Sequence, residues 1–168
     1  MISNIVVACL REDVKQKVVK ILADKMEMYY ADIDELVKYE VINPQDVIDK
    51  VGVEYLQQLI DKQVYNISTY ENTIITASDN ILTSSKNILA LKTSSLIILI
   101  KIPFKAYKKY ITKQAKGVLQ PADIINLNMF FDKEKIIEKS AHIVINAKWL
   151  NAHHIAKKVI KQIKAYYK

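Results

Sequence analysis

The sequence predicts a three-layer α/β domain in which a five-stranded parallel sheet is covered by helices on both faces. Three observations carry that prediction. Four short apolar runs, IVVA from Ile5, TIIT from Thr73, SLIILIKI from Ser95 and HIVIN from His142, are rich in Ile and Val and lack strict alternation, as strands buried on both faces require. Longer segments with helical spacing separate the runs. Strand and helix patterns alternate along the chain, which calls for right-handed crossovers between parallel neighbours.

Taken in order, IVVA is the first strand, and the helix after it is read from apolar residues at Val14, Val18, Ile21, Leu22 and Met26, which share one helical face. MYYA from Met28 is a weaker extended piece between two helices and supplies the fifth strand. The runs at Thr73, Ser95 and His142 follow. Between the last two, the stretch KQAKGVLQPADIINLN, Lys113 to Asn128, holds one of the two glycines and a proline but no strong period, so it reads as a lid-like excursion, 113–128. Ile155, Val159, Ile160 and Ile163 then define a C-terminal amphipathic helix. With 168 residues, 51% of them hydrophobic, the chain has the size of one domain, 1–168, with a sizeable core.

Composition removes several function classes. The longest apolar run, Leu96 to Ile100, is far short of the about 20 residues a membrane span needs. Met1 to Leu10 lacks the basic start and cleavage site of a signal peptide, so a cytoplasmic protein is expected. One cysteine, Cys9, and three histidines give no basis for a disulfide or a zinc site. The net charge of +7 comes from dispersed lysines, and the only arginine is Arg11. Specific phosphate and base recognition leans on arginine's planar fork, so nucleic acid is an unlikely partner.

The joint between first strand and first helix reads CLREDVKQ, Cys9 to Gln16. A phosphate-binding protein carries a glycine-rich loop there, ending in Lys and then Ser or Thr. Here Lys15 is present and every glycine is missing. Asp13 and Gln16, three positions apart, have the form of a capping box that places a carboxylate where a phosphate would bind. Lys15 is then a solvated helix lysine. Asp32 and Glu35 in the stretch DIDE have the same form and cap the next helix.

From Ile5, the stretch IVVACLREDVKQKVVKILADKMEMYYADID resembles the opening of a shikimate kinase without a gap: strand, phosphate loop, helix, strand, paired Asp motif. GVEYLQQLI from Gly52, ITASDNIL from Ile75, LIILIKIPFKAY from Leu96 and KEKIIEKSAHIVINA from Lys133 continue the likeness over nearly the whole chain. The resemblance implies a P-loop kinase-like fold and ATP-dependent phosphorylation of the shikimate 3-hydroxyl with Mg2+. It puts Lys15 on the nucleotide-binding Lys and Gln16 on the Mg2+-ligating hydroxyl position. Asp32 falls on the residue that helps place Mg2+, and Asp34 on the one that holds the substrate hydroxyl. Gln57 and Lys133 fall on arginines that grip the substrate carboxylate.

The departures from that pattern set the functional expectation. The loop glycines read Cys9, Glu12 and Val14, and the triple glycine near the substrate reads Ala77, Ser78 and Asp79. Glycines let backbone amides close around phosphates, and residues with a Cβ avoid those dihedrals. A degenerate member of the fold family is therefore expected, without phosphoryl transfer, needing no cofactor and binding an unidentified protein partner or small acidic ligand. One alternative is an active divergent small-molecule kinase using Lys15 and Asp34 with ATP and Mg2+. Another is a surface-binding module built on the basic C-terminal stretch IAKKVIKQIKAYYK.

Overall fold

The computed structural model describes residues 3–41, 43–114, 121–147 and 151–168. Five strands form one parallel sheet: β1 (Asn4–Cys9), β2 (Tyr29–Asp32), β3 (Thr73–Thr76), β4 (Ser95–Lys101) and β5 (Ile143–Asn146). Their order is β2-β3-β1-β4-β5, so β1 is central and β2 and β5 are edges. All five expected strands are present. Each connection between successive strands runs through helix: α1 (Glu12–Met26) joins β1 to β2, and α2 (Ile33–Glu40), α3 (Pro44–Val51) and α4 (Val53–Ser68) join β2 to β3. The return to β4 uses α5 (Asp79–Thr83) and α6 (Ser85–Lys92). Helices α7 (Phe104–Gln114) and α8 (Pro121–Ser140) precede β5, and α9 (Ala152–Tyr166) ends the fold.

Strand side chains alternate between the faces, and each face has its own core. Ile5, Val7, Leu96, Ile98 and Ile100 pack against Val14, Val18 and Leu22 of α1 and Ile155, Val159 and Ile163 of α9. Val6, Ala8, Ile97 and Leu99 pack on the opposite side against Val64 and Ile67 of α4 and Ile88 and Leu91 of α6. This is why the central strands read as continuous apolar runs. The apolar stripe of α9, one ingredient of the surface-module alternative, lies inside the first of these cores.

The expected excursion at 113–128 is helical where it is described. Lys113 and Gln114 close α7, and Pro121 through Asn128 open α8, while 115–120 lie outside the described residues. Pro121 suits the N-terminal end of α8, since its fixed φ and missing N–H cost nothing in a first helical turn. The helical period escaped the sequence because α8 carries apolar residues on more than one side, with Ile124, Ile125 and Met129 exposed and Leu127 buried.

Candidate functional site

The joint after β1 holds two residues, Leu10 and Arg11, before α1 begins at Glu12. The amides of Val14 and Lys15 both donate to the Arg11 carbonyl, at 3.2 and 2.9 Å, so the helix ladder extends back through the stretch where a phosphate loop would open. Arg11 is the residue that precedes the helix, and it makes no side-chain cap. The expected capping box is therefore corrected: Asp13 lies inside the first turn, and its carboxylate takes both the Nε and an Nη of Arg11. Arg11 is 8% exposed, and its guanidinium lies 4.1 Å from the centre of the Tyr110 ring, which ties the joint to α7. The Arg11 hydrogen bond holds the Asp13 carboxyl below its ordinary value against the opposing effect of burial. Gln16 does not take a backbone N–H as a capping box would; its Nε2 donates to the Glu12 side chain, Oε1, at 2.8 Å.

Lys15 is the second correction. It is 3% exposed rather than solvated. Its Nζ lies 2.7 Å from Glu12 Oε2 and donates to the Ala77 carbonyl at 3.1 Å, linking α1 to the end of β3.

The Asp pair straddles the end of β2. Asp32 caps α2 as expected, its Oδ1 accepting from the Glu35 amide at 3.2 Å. Its Oδ2 accepts from Thr76 Oγ1 at 2.7 Å. Asp34, in the first turn of α2, accepts from the Ser78 amide at 2.6 Å through Oδ2. Lys15, Gln16, Asp32 and Asp34 thus line one cleft of about 870 Å³ beyond the ends of the strands.

Tyr30 was missed by sequence reasoning. Its hydroxyl lies 3.1 Å from Gln16 Oε1, 3.0 Å from Thr76 Oγ1 and 3.4 Å from Asp32 Oδ2. The signal was available, because residues two apart on a strand share a face, which puts Tyr30 beside Asp32.

Gln57 and Lys133 do not line that cleft. Gln57 is exposed on α4, donates to Asp61 at 2.8 Å, and lines a second cavity of about 200 Å³ together with Asp34 and Ser78. Lys133 on α8 is held by Asp79 at 2.8 Å and by Asn80 Oδ1 at 2.6 Å.

A five-stranded parallel sheet with this order, with a helix following the central first strand and a cleft at the strand ends, defines the P-loop kinase-like α/β class. Within that class, the shikimate kinase family model matches residues 14–164, and the chain belongs to that family. It is similar to a shikimate kinase of Sulfurihydrogenibium sp. (strain YO3AOP1), 23% identical over 151 residues that cover 89% of this chain and 91% of that protein. Among solved structures, the fold is similar to shikimate kinase from Aquifex aeolicus, with a TM-score of 0.77 at 20% identity over 96% of each chain. It is also similar to the Acinetobacter baumannii enzyme in complex with shikimate, with a TM-score of 0.79 at 15% identity over 98% of this chain and 94% of that one.

Proposed function

We propose that this chain is a non-catalytic member of the shikimate kinase family, retained for binding or regulation rather than phosphoryl transfer. The observation that carries the reading is Lys15. Its ammonium is buried and already spent on Glu12 and the Ala77 carbonyl. Pulling it toward a triphosphate would leave that carbonyl without its partner, and an unpaired buried polar group costs about 1–3 kcal/mol.

The neighbouring residues do not fit Mg2+ with ATP in the manner that the family implies. The Val14 and Lys15 amides are used by the helix, and the Arg11–Asp13 pair under Tyr110 occupies the joint. Glu12 adds a negative charge at the same helix end. At the position of the Mg2+-ligating hydroxyl, Gln16 offers an amide bonded to Glu12. Among the described residues, no group of three or more His, Cys, Asp or Glu side chains is gathered to hold a metal.

One observation favours the second reading, an active divergent kinase: Lys15, Asp32 and Asp34 all reach the same cleft. A coupled assay with Mg-ATP and shikimate separates the two. Background rates at millimolar substrate are expected; turnover near 1 s⁻¹, the lower end of the common range of about 1–10³ s⁻¹, would overturn the non-catalytic reading. Thermal shifts with Mg-ATP, ADP and shikimate provide the binding arm, since a ligand at about 100 times its Kd stabilises by about 2.7 kcal/mol.

A further inference from the structure

The cavity of about 200 Å³ lies between α2, α4, α5 and α6. Val37, Leu56, Ile60 and Ile81 give it apolar walls. Its polar groups are Asp34, Gln57, Ser78, Asn80 and Asn87, with Lys38 at the α2 side. Asn87 is only 1% exposed.

What matters is which of these groups is already spent. Lys38 is paired with Glu35 at 2.7 Å. Lys133, at the position of an expected carboxylate-binding arginine, is held by Asp79 and Asn80. Gln57, at the other such position, uses its Nε2 on Asp61, and Asn87 uses its Nδ2 on the Ile81 carbonyl at 3.4 Å. Neutral donors remain, because each carboxamide nitrogen keeps an N–H and Ser78 its hydroxyl, but the full charge left over belongs to an acceptor. Asp34 Oδ1, Gln57 Oε1 and Asn87 Oδ1 receive no hydrogen bond from the described residues, and Asp34 has no salt bridge among them.

We propose that this cavity binds a small primary amine with a compact apolar body. An ammonium brings three donors and a positive charge to a wall that offers acceptors and one carboxylate that has no salt bridge among the described residues, although Lys38 on the same helix feels its charge. A carboxylate ligand would meet Asp34, and among the described lining residues the one cation, Lys38, is already paired with Glu35. The substitutions that removed the arginines have thus reversed the charge preference of the cavity. This ligand class gives content to the binding role proposed above and rests on that reading only for its biological use, because binding here requires no nucleotide.

The test is an amide-detected NMR titration of the full chain at neutral pH, without nucleotide. The probes are three ligands of one ring size: cyclohexylamine, cyclohexanol and cyclohexanecarboxylate. The amine is expected to bind most tightly, with shifts at Asp34, Gln57, Ser78 and Asn87, and the carboxylate to leave them unmoved. Asp34→Asn, which keeps an acceptor for the Ser78 amide, should weaken amine binding about tenfold to a hundredfold, as loss of a charge-assisted bond does. Gln57→Arg, at an exposed position that places folding at no risk, should turn the preference toward the carboxylate. Equal or tighter carboxylate binding by the parent, amine shifts outside the cavity, or an Asp34→Asn variant with unchanged amine affinity would each overturn the proposal. Kinase turnover in the separate assay would overturn the non-catalytic reading while leaving amine selectivity standing; carboxylate preference without turnover would do the reverse.

Discussion

Lys15 shows how far one residue's role depends on partners distant in sequence. Its spacing from Asp13 and Gln16 suggested a solvated position, but the carbonyl that receives it belongs to Ala77, 62 residues later. No local pattern encodes that contact, so the burial was illegible. The expected consequence is that Lys15→Ala destabilises the unliganded protein by about 1–3 kcal/mol, because it strips a buried carbonyl of its donor. Denaturant midpoints check this; a change within about 0.5 kcal/mol, typical of surface substitutions, would show that the ammonium contributes nothing to the fold. Asp13 has a matching pH signature. Its folded value lies below its ordinary one because of Arg11. The pair's stabilisation is therefore fully present above the ordinary carboxyl value of 3.8 and is lost as pH falls through the lower folded value. Asp13→Ala should remove that part of the acid dependence and cost about 1 kcal/mol, less than a fully buried pair because the Asp13 side chain is 39% exposed.

Among the elements, strands were the most legible. Ile and Val runs announced β1, β3, β4 and β5, and weaker signals in MYYA announced β2, whose edge position leaves Tyr29 and Tyr30 exposed. Less legible was how β5 is fastened. His142, just before it, donates its backbone N–H to the Ile97 carbonyl at 2.8 Å and accepts the Ile97 N–H on Nδ1 at 2.9 Å. The ring therefore extends the sheet ladder by one bond, and only a neutral ring can do so, because a protonated Nδ1 accepts nothing. Burial lowers the His142 value below its ordinary 6.5, with Lys92 adding to the effect. The sign follows: the contribution is fully present above about 6.5 and is lost as pH drops through the lower folded value. Unfolding series between pH 7.5 and 5 should show the parent losing about 1 kcal/mol, the typical worth of one hydrogen bond, that His142→Ala does not lose. Parallel slopes in the two proteins would assign the pH dependence elsewhere.

On the scale of the whole molecule, the layered α/β architecture follows from the pattern of apolar runs and the family likeness from the order and spacing of motifs, whereas the strand order is read only from the structure. Glu12 and Val14, at positions where the family resemblance implies glycine, lie in the first turn of α1, and Val14 and Val18 pack in the core. The charge of +7 likewise separates from the packing. On α9, Ile155, Val159 and Ile163 are buried against α1 and the sheet, whereas Lys157 and Lys161 are exposed. If α9 is part of the core, Ile155→Ala, at 2% exposure, should cost about 2–5 kcal/mol, the range for truncating a buried Ile. Lys157→Ala and Lys161→Ala on the same helix should each stay within about 0.5 kcal/mol. Urea midpoints of the three variants decide between the two roles of the helix, since a detachable basic module would tolerate the Ile155 truncation as easily as the lysine changes. A large Ile155 penalty with an unchanged urea slope means that α9 unfolds together with the sheet and that only its lysine face is available to a partner.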